Sequence, residues 1–200
     1  MHSVAVVTVS DRCAREGKQD ESSPAVLGVI GEQGKEVGGG QAPWKVVCKW
    51  LVPDERECIR AALWRACGRR ADARTEQHLR ECGDCWRQWN EVVEDVDTEP
   101  ARLVLTVGGT GLAARDITPE VVLEVCDGRQ AWGIAHLAMN ISLRHTPLAA
   151  ASRMVAGIAG GSTLIFTLPG SPRVARQILP ELLPVLAHAS DTLRGTSSHA

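Results

Sequence analysis

Two hundred residues, 44% of them hydrophobic and 23% charged, are enough for one domain with a real core, and this balance excludes a disordered or fibrous chain. With 22 basic against 24 acidic residues the net charge is −2, which argues against a nucleic-acid partner held by phosphate neutralisation. Apolar runs such as Val4-Ala5-Val6-Val7 fall far short of the ~18 residues of a membrane helix, and the N-terminus lacks the pattern of a secretory signal. The expectation is a cytoplasmic protein without membrane or nucleic-acid contacts, whose seven cysteines are reduced thiols.

Ser3 to Val9 is a short β-branched run that reads as a strand buried on both faces, with a helix expected around Ser23 to Glu32. After the glycines at 38 to 40, Trp44 to Val52 is a second strand, stopped by Pro53. Acidic residues in the first turn and Ile59, Leu63 and Ala66 at helical spacing predict a helix from Asp54 to about Arg69, with Asp54 as its N-cap. Leu103 to Val107 is the third strand. It runs into Gly108-Gly109-Thr110-Gly111, and Thr118-Pro119-Glu120 then predicts a capped helix start. Thr163 to Leu168 repeats the strand pattern, followed by Pro169-Gly170-Ser171-Pro172 and a helix towards Leu193.

Strands alternating with helices imply an α/β fold with a mostly parallel sheet. In such a sheet the strand-to-helix junctions lie on one edge, where ligands bind. The junctions Ser10-Asp11-Arg12, Pro53-Asp54-Glu55, Gly108 to Asp116 and Pro169-Gly170-Ser171 are therefore expected to face one site. Glycines directly after a strand let backbone N–H groups approach a phosphate. A carboxylate such as Asp116 beside them is a hard oxygen ligand of the kind that holds magnesium on a nucleotide. His145 and His188 receive no catalytic role; His188 sits in the apolar helix Leu182 to Ala187, where a packed or helix-end histidine is the better reading.

The stretches Val4 to Asp11, Leu51 to Glu55, Thr106 to Glu120, Ser142 to Ala149, Ser152-Arg153 and Leu168 to Pro172 occur in the order of the molybdopterin adenylyltransferase family, which the chain resembles over almost its whole length. The same fold occurs as a domain of gephyrin. The resemblance implies a three-layer α/β/α domain, residues 1–200 being a single molybdopterin-binding domain, usually assembled as a homotrimer. It implies ATP and molybdopterin as substrates, Mg²⁺ as the metal, and transfer of AMP from ATP to the terminal phosphate of molybdopterin with release of pyrophosphate. It puts Asp54 and Asp116 on the two family carboxylates needed for activity, as catalytic groups and metal ligands. Ser10, Ser142 and Ser152 fall on positions that contact the pterin or its phosphate, and Gly108, Gly109, Thr110 and Gly111 on the substrate-binding loop. Thr106, Gly170 and Ser171 join this binding set, and a molybdenum-insertion enzyme is an implied partner. The departure from the family pattern at Ala138-Met139-Asn140 suggests a second reading, a molybdopterin-binding or scaffold protein with weak or no turnover; Thr167 is a further departure, at a position where the family commonly has asparagine.

Between Leu51 and Leu103 stand 51 residues, more than one crossover helix needs, so a helical insertion is expected at about 70–99. It contains His78-Leu79-Arg80-Glu81-Cys82-Gly83-Asp84-Cys85, whose H-x₃-C-x₂-C spacing resembles the zinc motif of anti-sigma factors. On one helix His78, Cys82 and Cys85 share a face, as converging ligands must. A structural zinc also needs a fourth ligand, for which Cys67 or Cys58 is the candidate. The same geometry forms an apolar stripe of Leu79, Cys82, Trp86, Trp89, Val93 and Val96. The reading adopted from sequence is the stripe: an insertion docked by its tryptophans, away from the strand-end site, with zinc not favoured.

Overall fold

The computed structural model describes residues 2–36, 44–82 and 100–195. Its strands are β1 (His2–Val9), β2 (Trp44–Val52), β3 (Leu103–Val107), β4 (Ala156–Ala159) and β5 (Thr163–Leu168). They form one sheet in the order β2-β1-β3-β5-β4, parallel except for the β4–β5 pair. The helices are α1 (Asp11–Ala14), α2 (Ser22–Glu36), α3 (Arg56–Ala66), α4 (Ala73–Glu81), α5 (Thr118–Val125), α6 (Trp132–His145) and α7 (Pro172–Leu193), with a 3₁₀ turn at Pro147–Ala151.

Period-two alternation along each central strand makes two cores. Ala5, Val7, Val9, Val104 and Ile165 point to the face covered by α3, α4 and α5, where they meet Ile59, Leu63, Leu79 and Val122. Val4, Val6, Leu103, Leu105, Leu164, Phe166 and Leu168 point to the opposite face, against α2, α6 and α7 through Val26, Ile30, Ile141, Ile178 and Leu182. Strands buried on both sides must be apolar throughout, and β3 and β5 are buried at every position. The α/β/α layering expected from the sequence is the one observed.

Several local features differ from the sequence reading. Asp54 does not cap α3: the N-cap is Glu55, without a side-chain cap bond, because the Asp54 carboxylate is engaged by the chain after β1. Thr118 likewise is not the cap of α5. Ile117 holds that place, and the buried Thr118 hydroxyl has no hydrogen-bond partner among the described residues. Strand β4 and helix α6 were not legible. β4 is four residues of mostly alanine and glycine, poor strand formers, and α6 exposes Trp132 and Leu143 while burying Ile134 and Ile141, so no clean stripe marks it.

Within the expected insertion, α4 ends at Glu81 and Cys82 is already extended, with ψ 91. A single helix presenting His78, Cys82 and Cys85 on one face is thereby corrected: the helix stops before its second member, next to a glycine in the sequence. Leu79 is buried, as the stripe requires, while Cys85, Trp86, Trp89, Val93 and Val96 lie outside the described residues. The expectation of thiols throughout is corrected at Cys58, which is disulfide-bonded.

Candidate functional site

The chain leaves β1 to build β2 on one side and later returns to β3 on the other. A crevice opens where the winding direction switches, at the carboxyl ends of β1 and β3. There the structure has a cleft of about 720 Å³, lined by the segments after β1, β3 and β5 together with Asp54 after β2. Parallel pairing of these four strands carries their junctions to one edge, so the topology assembles the site that the sequence spread over more than 150 positions.

The floor of the cleft is the loop after β3, and its glycines are sterically required. Gly108 has φ +106, and a Cβ there would stand 2.3 Å from the Val9 carbonyl. Gly109 has φ +62, and its Cβ would meet the Thr118 hydroxyl at 2.2 Å and Asp54 Oδ1 at 3.1 Å. The Gly108 N–H donates to the Leu168 carbonyl at 2.9 Å, whereas the N–H groups of Gly109, Thr110 and Gly111 make no backbone hydrogen bond among the described residues. Three such donors in succession suit an anion. Arg153 fixes the loop from the far side: its backbone N–H reaches the Thr110 carbonyl at 2.8 Å, Nε donates to the Gly111 carbonyl at 2.8 Å, and the guanidinium also binds the Asp116 carbonyl and Glu120.

Asp54 and Asp116 face this loop. The Asp11 N–H donates to Asp54 Oδ2 at 2.7 Å, and the Ala113 N–H donates to Asp116 Oδ2 at 3.0 Å. Each carboxylate thus spends one oxygen on a backbone amide and keeps Oδ1 uncommitted among the described residues. Burial pushes the Asp54 carboxyl above its ordinary pKa, and the negative charges of Asp11 and Asp116 add to this, while the Asp11 amide and Arg115 oppose it. Arg115 forks onto Asp11 Oδ2 through Nε at 2.9 Å and a terminal nitrogen at 2.6 Å, and also reaches Glu55 at 3.1 Å.

Of the residues proposed from sequence, Ser10, Asp54, Gly108, Gly109, Thr110, Gly111, Asp116, Ser152 and Gly170 line the cleft, and Thr106, Ser142 and Ser171 are not among its lining residues. Thr106 is buried inside β3 with its hydroxyl unpartnered among the described residues. Ser142 donates within α6 to the Ala138 carbonyl at 2.9 Å. Ser171 is the N-cap residue of α7 and makes no side-chain cap bond. Ser10 is itself tied down, its hydroxyl accepting from the Cys13 N–H at 3.3 Å, and the Ser152 hydroxyl lies 3.3 Å from that of Thr110.

The junction Ser10-Asp11-Arg12 faces the cleft as the sequence suggests, though no individual role attaches to Asp11 or Arg12 there; Lys18 and Asp20, which the sequence reading does not mention, line it too. Asp20 accepts from the Ser22 and Ser23 amides at 2.9 and 3.1 Å and from the Thr8 hydroxyl at 3.1 Å, anchoring α2 to the end of β1. The signal for it was present: an aspartate two residues before a helix is a capping candidate.

Comparisons with known proteins give the family. A family described as "Probable molybdopterin binding domain" matches residues 77–188. The chain is 30% identical over 192 residues to a molybdopterin adenylyltransferase of Helicobacter pylori, covering 96% of this chain and 88% of that one. It is 33% identical over 187 residues to gephyrin of Dictyostelium discoideum, covering 93% of this chain but only 22% of the longer relative, so it spans about a fifth of that protein. Among solved structures, the molybdopterin biosynthesis enzyme MoaB of Thermus thermophilus superposes with a TM-score of 0.67 at 36% identity, over 98% of both chains. Among the described residues no helix is long and apolar enough to cross a membrane. A matching family profile over more than half of the chain, a relative covered over 88% of its length and a shared fold give one conclusion: the chain belongs to the molybdopterin-binding domain family of molybdenum cofactor biosynthesis.

Proposed function

We propose that the chain transfers AMP from ATP to the terminal phosphate of molybdopterin. The observation that carries this reading is the pairing in one cleft of two carboxylates, each with one oxygen uncommitted among the described residues, with the amides of Gly109, Thr110 and Gly111, which make no backbone hydrogen bond there. The names of relatives matched over 88% and 71% of their own length support it.

The donor set fits Mg²⁺. Asp54 and Asp116 offer hard oxygens, and the negative charges of Asp11 and Asp116, which add to the burial that raises the Asp54 pKa, are what a divalent cation relieves. Bound there, Mg²⁺ would neutralise charge on the triphosphate. The chain itself then holds and aligns. The loop amides hold phosphate oxygens, Arg12 and Lys18 on the cleft wall supply positive charge, and Ser10 and Ser152 offer hydroxyls. An oxygen of the already ionised terminal phosphate of molybdopterin attacks the α-phosphorus of ATP. A new P–O bond forms, the bond to the bridging α,β oxygen breaks, and pyrophosphate leaves with that electron pair. No proton has to be removed from the nucleophile.

One observation favours the scaffold reading. The Thr167 hydroxyl, at a departure from the family pattern, accepts from the Val155 N–H at 2.7 Å and donates to the Val155 carbonyl at 3.3 Å, so it is spent on the β4–β5 end rather than offered to a pterin. Incubation of the purified protein with molybdopterin, ATP and Mg²⁺ separates the two. Adenylylated pterin and pyrophosphate in equal amounts support the transferase. Pterin binding without either product leaves the scaffold, and no pterin binding overturns both.

A further inference from the structure

We propose that α3 and α4 are clasped by a zinc ion held on Cys58, His78 and Cys82. Two of these groups stand in the expected insertion segment and the third on α3, one turn beyond Asp54. Their ligand atoms all lie within 4.8 Å of one another. Cys58 Sγ and His78 Nε2 are 3.5 Å apart. Zinc bonds of about 2.3 Å to sulfur and about 2.0–2.1 Å to nitrogen, spread at tetrahedral angles, set a sulfur-to-nitrogen edge of about 3.6 Å. The pair is therefore already at coordination distance. Cys58 is buried and the other two are half-buried, and a set of two sulfurs and an imidazole without carboxylate selects zinc over the hard cations suited to Asp54 and Asp116.

The surroundings show why a clasp belongs there. α4 has nine residues, too short to be stable alone, and it rests on α3 through a buried polar knot. Asp72 caps it by accepting from the Thr75 N–H at 2.8 Å. The Thr75 hydroxyl donates to Glu57 Oε2 at 3.0 Å and accepts from Arg60 at 2.7 Å. This knot fixes the helix pair one turn from the cluster, so the three donors are oriented by contacts that do not involve metal, as a preorganised site needs. Of the two candidates named for a further ligand, Cys58 is in the cluster and Cys67 is not; the Cys67 thiol is buried, bonded to Thr163 and pushed up to about 12. Cys85, the last member of the sequence motif, lies outside the described residues and is not counted as a ligand.

The disulfide at Cys58 and the metal are alternative uses of one sulfur. A thiol reductant in excess, itself oxidised to its disulfide, returns Cys58 to a thiol. As the zinc–sulfur bonds form, the Cys58 and Cys82 thiols each release a proton to solvent, and neutral His78 binds through Nε2. Zinc thus occupies the reduced chain and is absent from the oxidised one.

Elemental analysis of the full chain, purified without chelator in the presence of a reductant, tests this. Near-stoichiometric zinc is expected, lost on oxidation to the disulfide. Both His78→Ala and Cys82→Ser should weaken zinc binding by more than the roughly hundredfold that loss of an outer-sphere partner costs, whereas Cys67→Ala should keep it. Substoichiometric zinc in the reduced protein overturns the proposal, as does stoichiometric zinc in both ligand variants or its loss from Cys67→Ala. Should the ligand variants fail to fold, cobalt titration of the reduced, metal-stripped wild type decides. A thiolate-to-cobalt charge-transfer band with tetrahedral d–d intensity supports the site, and its absence overturns it.

Discussion

Asp11 and Asp54 hold each other reciprocally: the Asp11 N–H donates to Asp54 Oδ2 at 2.7 Å, and the Asp54 N–H donates to Asp11 Oδ1 at 3.0 Å. Two acidic side chains are thereby brought close by backbone donors at the ends of neighbouring parallel strands. This exchange locks the junction after β1 to the junction after β2, and it leaves a negatively charged cleft edge that Arg115 only partly offsets.

That arrangement has a cost readable in the pH dependence of stability. The folded pKa of Asp54 is raised, with burial the largest cause. The folded state therefore binds the Asp54 proton more tightly than the unfolded chain does. Its contribution favours folding at pH below the ordinary carboxylate value, and is lost as pH rises through the raised value. At neutral pH the ionised group is a burden, so Asp54→Asn should raise Tm there, with the difference from wild type shrinking in acid. An amide oxygen can still accept from the Asp11 N–H. Adenylylation should fall on the order of a hundredfold or more, the usual cost of removing a charge aimed at the transition state. A variant with unchanged turnover, or one less stable than wild type at pH 7, contradicts this account of Asp54.

Asp116 separates charge from architecture differently. Its Oδ2 accepts the Ala113 N–H at 3.0 Å within a turn in which the Asp116 N–H returns a bond to the Ala113 carbonyl at 2.9 Å. An asparagine keeps the turn and removes the charge. Asp116→Asn should leave the stability within about 1 kcal/mol of wild type and lower the rate by about a hundredfold or more. Mg²⁺ titration of the residual activity should demand a higher metal concentration. Equal Mg²⁺ dependence in variant and wild type would remove Asp116 from the metal.

Strand-end convergence was legible because β-branched runs and the turn residues after them are local signals, and parallel pairing does the rest. Asp11 was not singled out, because its role depends on Asp54 forty-three positions away, and no local pattern encodes that exchange. Asp54 itself was read as a helix cap for the same reason: the local rule offered a partner in α3, and a tertiary donor after β1 took it. At the insertion the sequence admits two readings. His78 and Cys82 have the spacing of both a packed stripe and a ligand pair, and no local pattern encodes the approach of Cys58 from a different helix.

Two serines on the same family motifs should now behave differently. Ser152 lines the cleft, 3.3 Å from the Thr110 hydroxyl, whereas Ser142 is buried and bonded to its own helix. Ser152→Ala should weaken molybdopterin binding by about 1 kcal/mol, the net value of a typical hydrogen bond. Ser142→Ala should leave it unchanged, because a serine bonded to the i−4 carbonyl contributes little beyond its helix. Calorimetry with molybdopterin alone checks both, and a larger loss at Ser142 than at Ser152 would mean that α6 turns its serine into the site when ligand binds.

Arg153 gives the last expectation. It is not itself a lining residue of the cleft and acts through the loop: Nε holds the Gly111 carbonyl at 2.8 Å, and its terminal nitrogens reach the Asp116 carbonyl and Glu120. A planar fork with several donors suits this three-way task, which an ammonium cannot reproduce. Arg153→Lys should therefore misplace the amides of Gly109 to Gly111 and the Asp116 carboxylate together. Charge-assisted bonds to a partly buried guanidinium contribute about 1.5–3 kcal/mol, so a measurable fall in Tm is expected. A purely structural role would end there. A positioning role also raises KM for ATP and lowers kcat in the folded protein at a temperature well below the transition, while molybdopterin affinity measured without ATP changes less. Loss of stability with both kinetic parameters intact would confine Arg153 to the scaffold.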